Sequence, residues 1–341
     1  MRYSVFALAA GISFSLLTPL VPAVAADEVN LYSYRQESLI RPILDEFEKE
    51  SGIKVNVVFA KKGMLERLKS EGMNSPADAV LTVDISRLAA HDEAGVLQEV
   101  TSDILSRNIP AQYRDPDGHW FGLSARSRVM FYAKDRVKPE ELSTYEDLAD
   151  PKWKGRICVR SSNNVYNQSL LASIVAHNGV EAAEKWAQGI KDNLARKPQG
   201  GDRDQIKAVA AGECDIAIGN TYYYGAMQNS KDAAELEAAE KVTLFWPNQQ
   251  GRGAHINISG AGVTKSAKNR ESAIKLIEFL SDTKAQEFYA SSNYEFPVKD
   301  GVMLDETVAS WGAFKADDIG LYDVAGAQVD AVKIFDRVGW R

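Results

Sequence analysis

The chain has 341 residues, and 47 acidic side chains outnumber 40 basic ones for a formal charge of −7. The two signs are interspersed rather than blocked, which argues against nucleic acid or an anionic membrane as the main partner. A chain of this length is long enough for two lobes, each with a sizeable core.

Residues 1–25 read as a signal peptide: Arg2 gives a basic start, residues 5–17 an apolar core, and Ala23, Val24 and Ala25 a small-residue cleavage site. The mature chain is expected to begin at Ala26, with no cysteine nearby to carry a lipid anchor. No other stretch approaches the roughly eighteen apolar residues of a membrane span, so a soluble, exported protein without stable membrane insertion is expected. An oxidising compartment favours pairing the two cysteines, Cys158 and Cys214. Two buried thiols are the alternative, while a thiolate metal site lacks both the number of sulfurs and a C-x-x-C spacing.

The mature chain opens with a strand-like run, EVNLYSYRQ (28–36), and a helix over 39–51 follows, with Leu39, Ile43, Leu44 and Phe47 at helical spacing before Gly52. IKVNVVFA (53–60) predicts a second strand, GMLERLKSEG (63–72) a helix, and ADAVLTVDI (77–85) a third strand, with another helix ending near Gly95. This alternation points to a parallel sheet covered on both faces. Residues 122–135 read as one long strand, after which a second α/β series begins: RICVR, helices over 169–179 and 181–193, QIKAVAAGE (205–213) and CDIAIG (214–219). A β-rich segment at 255–269 suggests a return crossing, and 271–292 predicts one strong amphipathic helix. Two α/β lobes joined by paired crossing strands fit best, with residues 26–127 and 256–300 in one lobe and 128–255 and 301–341 in the other. The open crevice of such a design lies at the carboxyl ends of the parallel strands.

Tyr222, Tyr223 and Tyr224 stand in a row just after the apolar run CDIAIG, and Tyr166 follows RICVR in the same way. Cys158 lies eight residues before Tyr166, and Cys214 lies eight residues before Tyr222. If the cysteines pair, neighbouring strands are pinned side by side and both tyrosines emerge at one edge of one sheet. Ionising a phenol at neutral pH costs about 4 kcal/mol, and ionising three costs on the order of 12 kcal/mol. Calcium and magnesium prefer carboxylate and carbonyl oxygens and zinc prefers His and Cys, which leaves Fe(III) as the common ion that displaces phenolic protons. Consecutive side chains cannot all point one way, so Tyr222 and Tyr223 are the expected ligands beside Tyr166, with Tyr224 packing. Ordinary amphipathic packing of the tyrosines is the plainer alternative.

His91, His119, His177 and His255 are scattered without metal-binding spacing and read as isolated residues. Arg35, Arg126 and Arg128 offer a fork for a small oxyanion beside the metal, or salt bridges. Asp84 either orients such groups or caps a helix. Nucleophile-elbow, P-loop and dinucleotide motifs are missing, so no enzymatic activity is expected, although paired carboxylates are not excluded by sequence.

The chain resembles the periplasmic ferric-iron-binding proteins, the substrate-binding components of bacterial iron(III) ABC transporters. LYSYRQ (31–36), FEKESGIKVNV (47–57), SPADAVLTVDISRL (75–88), WFGLSARSRV (120–129), DLADPKWKGRICVRSS (147–162), YNQSLLASIVAHNG (166–179) and above all GNTYYYG (219–225) carry the resemblance. It implies a two-lobed α/β fold of the type II periplasmic binding class, a monomer that captures Fe(III), and delivery to an inner-membrane ABC permease. Carried over residue by residue, the family's ligands fall on Tyr166, Tyr222 and Tyr223. Several relatives place a histidine or tyrosine ligand where this chain has Gln36 and Glu37, which puts a ligand from the first lobe in doubt. The family's synergistic anion, commonly carbonate or bicarbonate, would then be held by Arg126 first and Arg35 second. A rival within the same architecture is capture of an organic cation, a polyamine or thiamine-like solute, in an aromatic box. An exported hydrolase is a rival from another class.

Overall fold

In the computed structural model, residues 27–341 are described, and the expected signal peptide lies outside them. The strands are β1 (Glu28–Ser33), β2 (Lys54–Phe59), β3 (Ala79–Thr82), β4 (Phe121–Ala133), β5 (Ile157–Cys158), β6 (Ile216–Asn220), β7 (Val242–Phe245) and β8 (Ile256–Val263). They pair in the order β2-β1-β3-β8-β4-β6-β5, with β7 beside β4. The parallel pairings are β1 with β2 and β3, and β5 with β6. Every antiparallel pairing is made by β4 or β8. Two parallel α/β patches are therefore joined through two long antiparallel strands, which makes the sheet mixed.

β4 explains how this happens. Its first half pairs with β8, from Phe121 to Ser127. From Arg128 onward it pairs with β6, and from Met130 with β7. No Gly or Pro interrupts residues 123–135, so nothing turns the chain, and the strand runs straight from one patch into the other. All thirteen residues of β4 are buried, including Arg126 and Arg128, which must find partners inside.

The helices largely follow the sequence pattern. In the helix Glu37–Ser51, Ile40, Ile43, Leu44 and Phe47 form the buried stripe, and Gly52 ends it in a left-handed conformation at φ 72°. The two helices expected over 169–179 and 181–193 are present within Val165–Asp192, separated at Gly179, whose φ of 79° interrupts the helical backbone. The single helix expected over 271–292 is a correction: it divides into Arg270–Leu280 and Thr283–Asn293. Asp282 starts the second piece by accepting the Ala285 amide at 3.0 Å, and an N-cap there outweighs the continuous apolar period.

Cys158 and Cys214 are disulfide-bonded, with Cα atoms 5.9 Å apart. The bond ties the segment just before β6 to β5 and closes a sequence separation of 56 residues, a constraint of about 4 kcal/mol in the chain-entropy account. Behind it a compact apolar cluster gathers Val129, Phe131, Ile206, Val209, Ala217 and Met227. Near the C-terminus, the helix Gln328–Val338 lies along Val165–Asp192, and the short helix Leu321–Gly326 touches both that helix and Ile85–Glu93. Among the described residues no helix is long and apolar enough to cross a membrane.

Candidate metal centre

The carboxyl ends of the parallel strands converge on one cleft of about 460 Å³. Tyr34, Arg35 and Gln36 follow β1, Lys61 follows β2, Arg87 follows β3, Arg160 and Tyr166 follow β5, and Tyr222 and Tyr223 follow β6. This is where an open α/β sheet leaves a crevice, because helices cover its faces but not its strand ends.

Tyr166 sits in the first turn of Val165–Asp192, where the Asn164 side chain caps the helix by accepting the Tyr166 amide at 3.0 Å. Tyr222 and Tyr223 sit in the first turn of the helix Thr221–Gln228, with Asn220 at its N-cap position. Their rings lie 4.3 Å apart between centroids at 37°. All three phenols are thus carried at helix N-termini, where the macrodipole favours negative charge. Tyr224 turns the other way. It is buried against Phe131, and its hydroxyl donates to the carbonyl of Val242 at 2.9 Å, so the third tyrosine of the row packs.

Burial, followed by the proximity of Tyr166 and Tyr223, holds the Tyr222 phenol well above its ordinary value, while Arg126 pulls it down. Tyr223 is pushed up to about 12, first by burial and then by Tyr166 and Asp202, with Arg160 acting in the opposite direction. Tyr166 therefore lies within electrostatic reach of both members of the pair. With their values raised, both phenols of the pair are neutral at pH 7 in the apo-protein, and a ligand that ionises them must be a strong electrophile.

The arginines divide by their partners. Arg126 is buried, its Nη1 donates to Ser259 Oγ at 2.9 Å, and its guanidinium lies 5.8 Å from the Tyr166 ring centroid. Its Nη2 is buried without a protein partner, a donor left over beside the phenols. Arg35 also reaches Ser259 Oγ, at 3.1 Å, but its other nitrogen is bound to the Glu295 carboxylate. Its charge is matched inside the protein, and Arg126 is the better-placed donor for an anion. Arg128 is not a lining group of this cleft: it is salt-bridged to Asp202 at 3.0 Å.

Sequence reasoning missed Arg160, Lys61, Arg87 and Arg203, which line the cleft. Arg160 stands at the end of RICVR, so the same strand-end argument that found Tyr166 applies to it. With Arg35 and Arg126 these make six cationic side chains against one carboxylate, Glu295, among the lining residues. Such a wall repels a polyamine and attracts an anion. Gln36 lines the cleft, whereas Glu37 is exposed and outside it. The Tyr34 hydroxyl is occupied by the Leu65 amide at 3.1 Å.

Asp84 both caps and connects. It accepts the Ser86 amide at 3.0 Å, the Asn257 side chain at 2.9 Å and the Ser169 hydroxyl at 3.0 Å, so the first patch is tied to the helix that bears Tyr166. No histidine lines the cleft. His177 pairs with Asp317 at 2.9 Å and His119 with Asp92 at 2.7 Å. Asp92, Asp115 and His119 are a close set of potential ligand atoms, but none of them lines the cleft and both carboxylates accept from Tyr322.

Two α/β lobes hinged by crossing strands around a polar crevice define a solute-binding protein. Residues 58–316 match the model of the bacterial extracellular solute-binding protein family, and the chain belongs to that family. Iron uptake protein A1 of Synechocystis sp. is 52% identical over 92% of this chain and 88% of the relative. Among solved structures, the Trichodesmium protein IdiA (FutA) in complex with iron and citrate ligands is 47% identical, with a TM-score of 0.87, covering 92% of this chain and 100% of that one. The apo ferric ion-binding protein A of Pasteurella haemolytica is 49% identical with a TM-score of 0.88, over 92% and 98% of the two chains.

Proposed function

We propose that this protein captures Fe(III) in the periplasm through the phenolate oxygens of Tyr166, Tyr222 and Tyr223, and delivers it to an inner-membrane ABC permease. The observation that carries this reading is the convergence of three tyrosines from two helix N-termini on one cleft. Three phenolates neutralise a trivalent ion, and the free energy of metal binding replaces what their ionisation costs. The surrounding arginines would repel a bare cation, so a small anion such as carbonate or bicarbonate, held by the free Nη2 of Arg126, completes the charge balance. The side of the cleft after β1 supplies no direct protein ligand from position 36 or 37, and closure acts through this anion.

The signal peptide is removed after Ala25, the mature protein is a monomer, and it performs no chemistry on its cargo. The lobes divide where β4 and β8 cross: residues 26–127 with 256–300, and 128–255 with 301–341. Hinged closure about these strands encloses the ion. The test is addition of ferric iron in a weak chelate to the apo-protein. A visible phenolate-to-iron charge-transfer band is expected, and it disappears in the triple variant Tyr166→Phe/Tyr222→Phe/Tyr223→Phe. Colourless wild-type protein, or undiminished colour in the variant, overturns the reading. Capture of an organic cation in an aromatic box is opposed by the cationic lining, and calorimetry at two pH values separates the two, because metal capture alone releases several protons.

A further inference from the structure

The three phenols belong to two separate helices, and their mutual placement needs a cause. Metal ligation demands oxygen positions fixed to a few tenths of an ångström, whereas the start of Val165–Asp192 has only its Asn164 cap locally and the start of Thr221–Gln228 has no side-chain cap hydrogen bond. One buried side chain spans both starts. Arg128, on β4 and 2% exposed, donates from Nη2 to the Asn167 side-chain oxygen at 2.5 Å, and from Nη1 to the Asn220 side-chain oxygen at 2.8 Å. Asn167 is the residue after Tyr166, and Asn220 is the cap before Thr221, Tyr222 and Tyr223.

Asp202 completes the fork from behind. Fully buried, it accepts Arg128 Nη1 at 3.0 Å and the Asn220 backbone amide at 2.9 Å through one oxygen, and Arg160 at 3.2 Å through the other. Asn167 in turn donates to the carbonyls of Arg160 at 2.9 Å and Ser161 at 3.2 Å, the loop that leads into Tyr166. A small cavity of about 10 Å³ is lined by Arg128, Asn220, Tyr166 and Arg126, so the fork adjoins Tyr166. A planar guanidinium carries several donors at fixed angles and can hold acceptors from different segments in one plane, which a lysine ammonium on a flexible stem cannot.

We propose that Arg128, held by Asp202, is the positioning residue that sets the distance between Tyr166 and the Tyr222–Tyr223 pair, an assignment that rests on the iron-binding reading of the cleft. Arg128 does not touch the ion. It acts through Asn167 on one side and Asn220 on the other, as groups behind a metal's ligands commonly do, where their loss lowers metal affinity 10- to 100-fold.

The experiment is ferric titration of the full mature protein against a competing weak chelator, reading affinity and the position of the charge-transfer band. In Arg128→Lys, which keeps the charge for Asp202, affinity falls about 10- to 100-fold and the band shifts, while the apo-protein still melts cooperatively. Unchanged affinity and band in a folded Arg128→Lys protein overturn the proposal. Should that variant fail to fold, Asn167→Ser removes the Tyr166 arm of the fork, together with the bonds of Asn167 to the Arg160 and Ser161 carbonyls, and leaves the Asn220 arm in place, and a double-mutant cycle with Tyr166→Phe decides. Asn167→Ser is expected to weaken binding in the wild-type background and to add nothing once Tyr166 is phenylalanine. An equal loss in both backgrounds, or none in either, overturns it. Absence of any band in the unsubstituted protein sinks the iron reading and this assignment with it, whereas a normal wild-type band with indifferent variants sinks the assignment alone.

Discussion

The two walls of the cleft are built from the same material, the loops after parallel strands, and do different work. The wall after β5 and β6 presents three tyrosines on helix N-termini, stiffened by the disulfide and by the buried Arg128–Asp202 pair. The facing wall, after β1, β2 and β3, presents Arg35, Gln36, Lys61 and Arg87. It is cationic, and the hydroxyl of Tyr34 behind it accepts the Leu65 amide. On the proposed function the first wall would bind the ion by hard anionic oxygens, and the second would add positive charge beside the anion held by Arg126. Affinity should therefore reside in the first wall and closure in the second.

That division can be broken by substitution. Removing single phenols should have the largest effect: Tyr222→Phe or Tyr223→Phe takes a hard anionic donor from the ion itself and lowers ferric affinity, judged by competition with a chelator, by more than the roughly 10- to 100-fold expected of a residue behind the ligands. Next comes pH. Burial, then the neighbouring phenols, raises Tyr222 and Tyr223 above the ordinary tyrosine value, so both are protonated in the apo-protein and binding must release their protons. At fixed ferric-ion activity, apparent affinity falls up to about a thousandfold per pH unit on acidification if three protons leave. Proton release measured by titration in weak buffer checks the number, and release of fewer than two contradicts the ligand set.

The same shifts carry a consequence for folding. Because the folded pKa of Tyr223 lies above the unfolded value near 10, the apo-protein keeps its full contribution from this group below about pH 10 and loses it as pH rises through about 12. Apo-protein should lose thermal stability over that alkaline window, and Tyr223→Phe should flatten the loss. Replacing both cysteines by serine should lower unfolding free energy by about 4 kcal/mol or less in chemical denaturation. Smallest is the facing wall: Lys61→Ala, at an exposed charge, should weaken binding by about two- to fivefold in a salt-dependent way. A thousandfold loss there would erase the proposed division between the walls.

Much of this arrangement is legible in the sequence, because its causes are local. The unbroken run 123–135 gives β4, Gly179 breaks the long helix, and the tyrosines mark the ends of two apolar strand runs. The two cysteines do bond, but their equal offset of eight residues to a tyrosine is not a strand register, since Cys158 pairs in the sheet with Ala217, three residues beyond Cys214. What escapes the sequence is long-range polar pairing. Arg35 meets Glu295 at a separation of 260 residues, and Arg128 meets Asp202 at 74, and no periodicity announces such partners. Among 47 acidic residues no local pattern marks Asp202 as the one buried beneath the phenols. The break before Asp282 was hidden for the opposite reason, since a continuous apolar stripe across 271–292 masked the capping signal in Ser281-Asp282-Thr283.

The most direct measurement is a crystal structure of the mature protein loaded with ferric iron. The account predicts an ion bound by the phenolic oxygens of Tyr166, Tyr222 and Tyr223, an anion on Arg126, and no direct ligand from residues 36 or 37. An ion held by Glu295 or another carboxylate, with Tyr166 turned away from the pair, contradicts it.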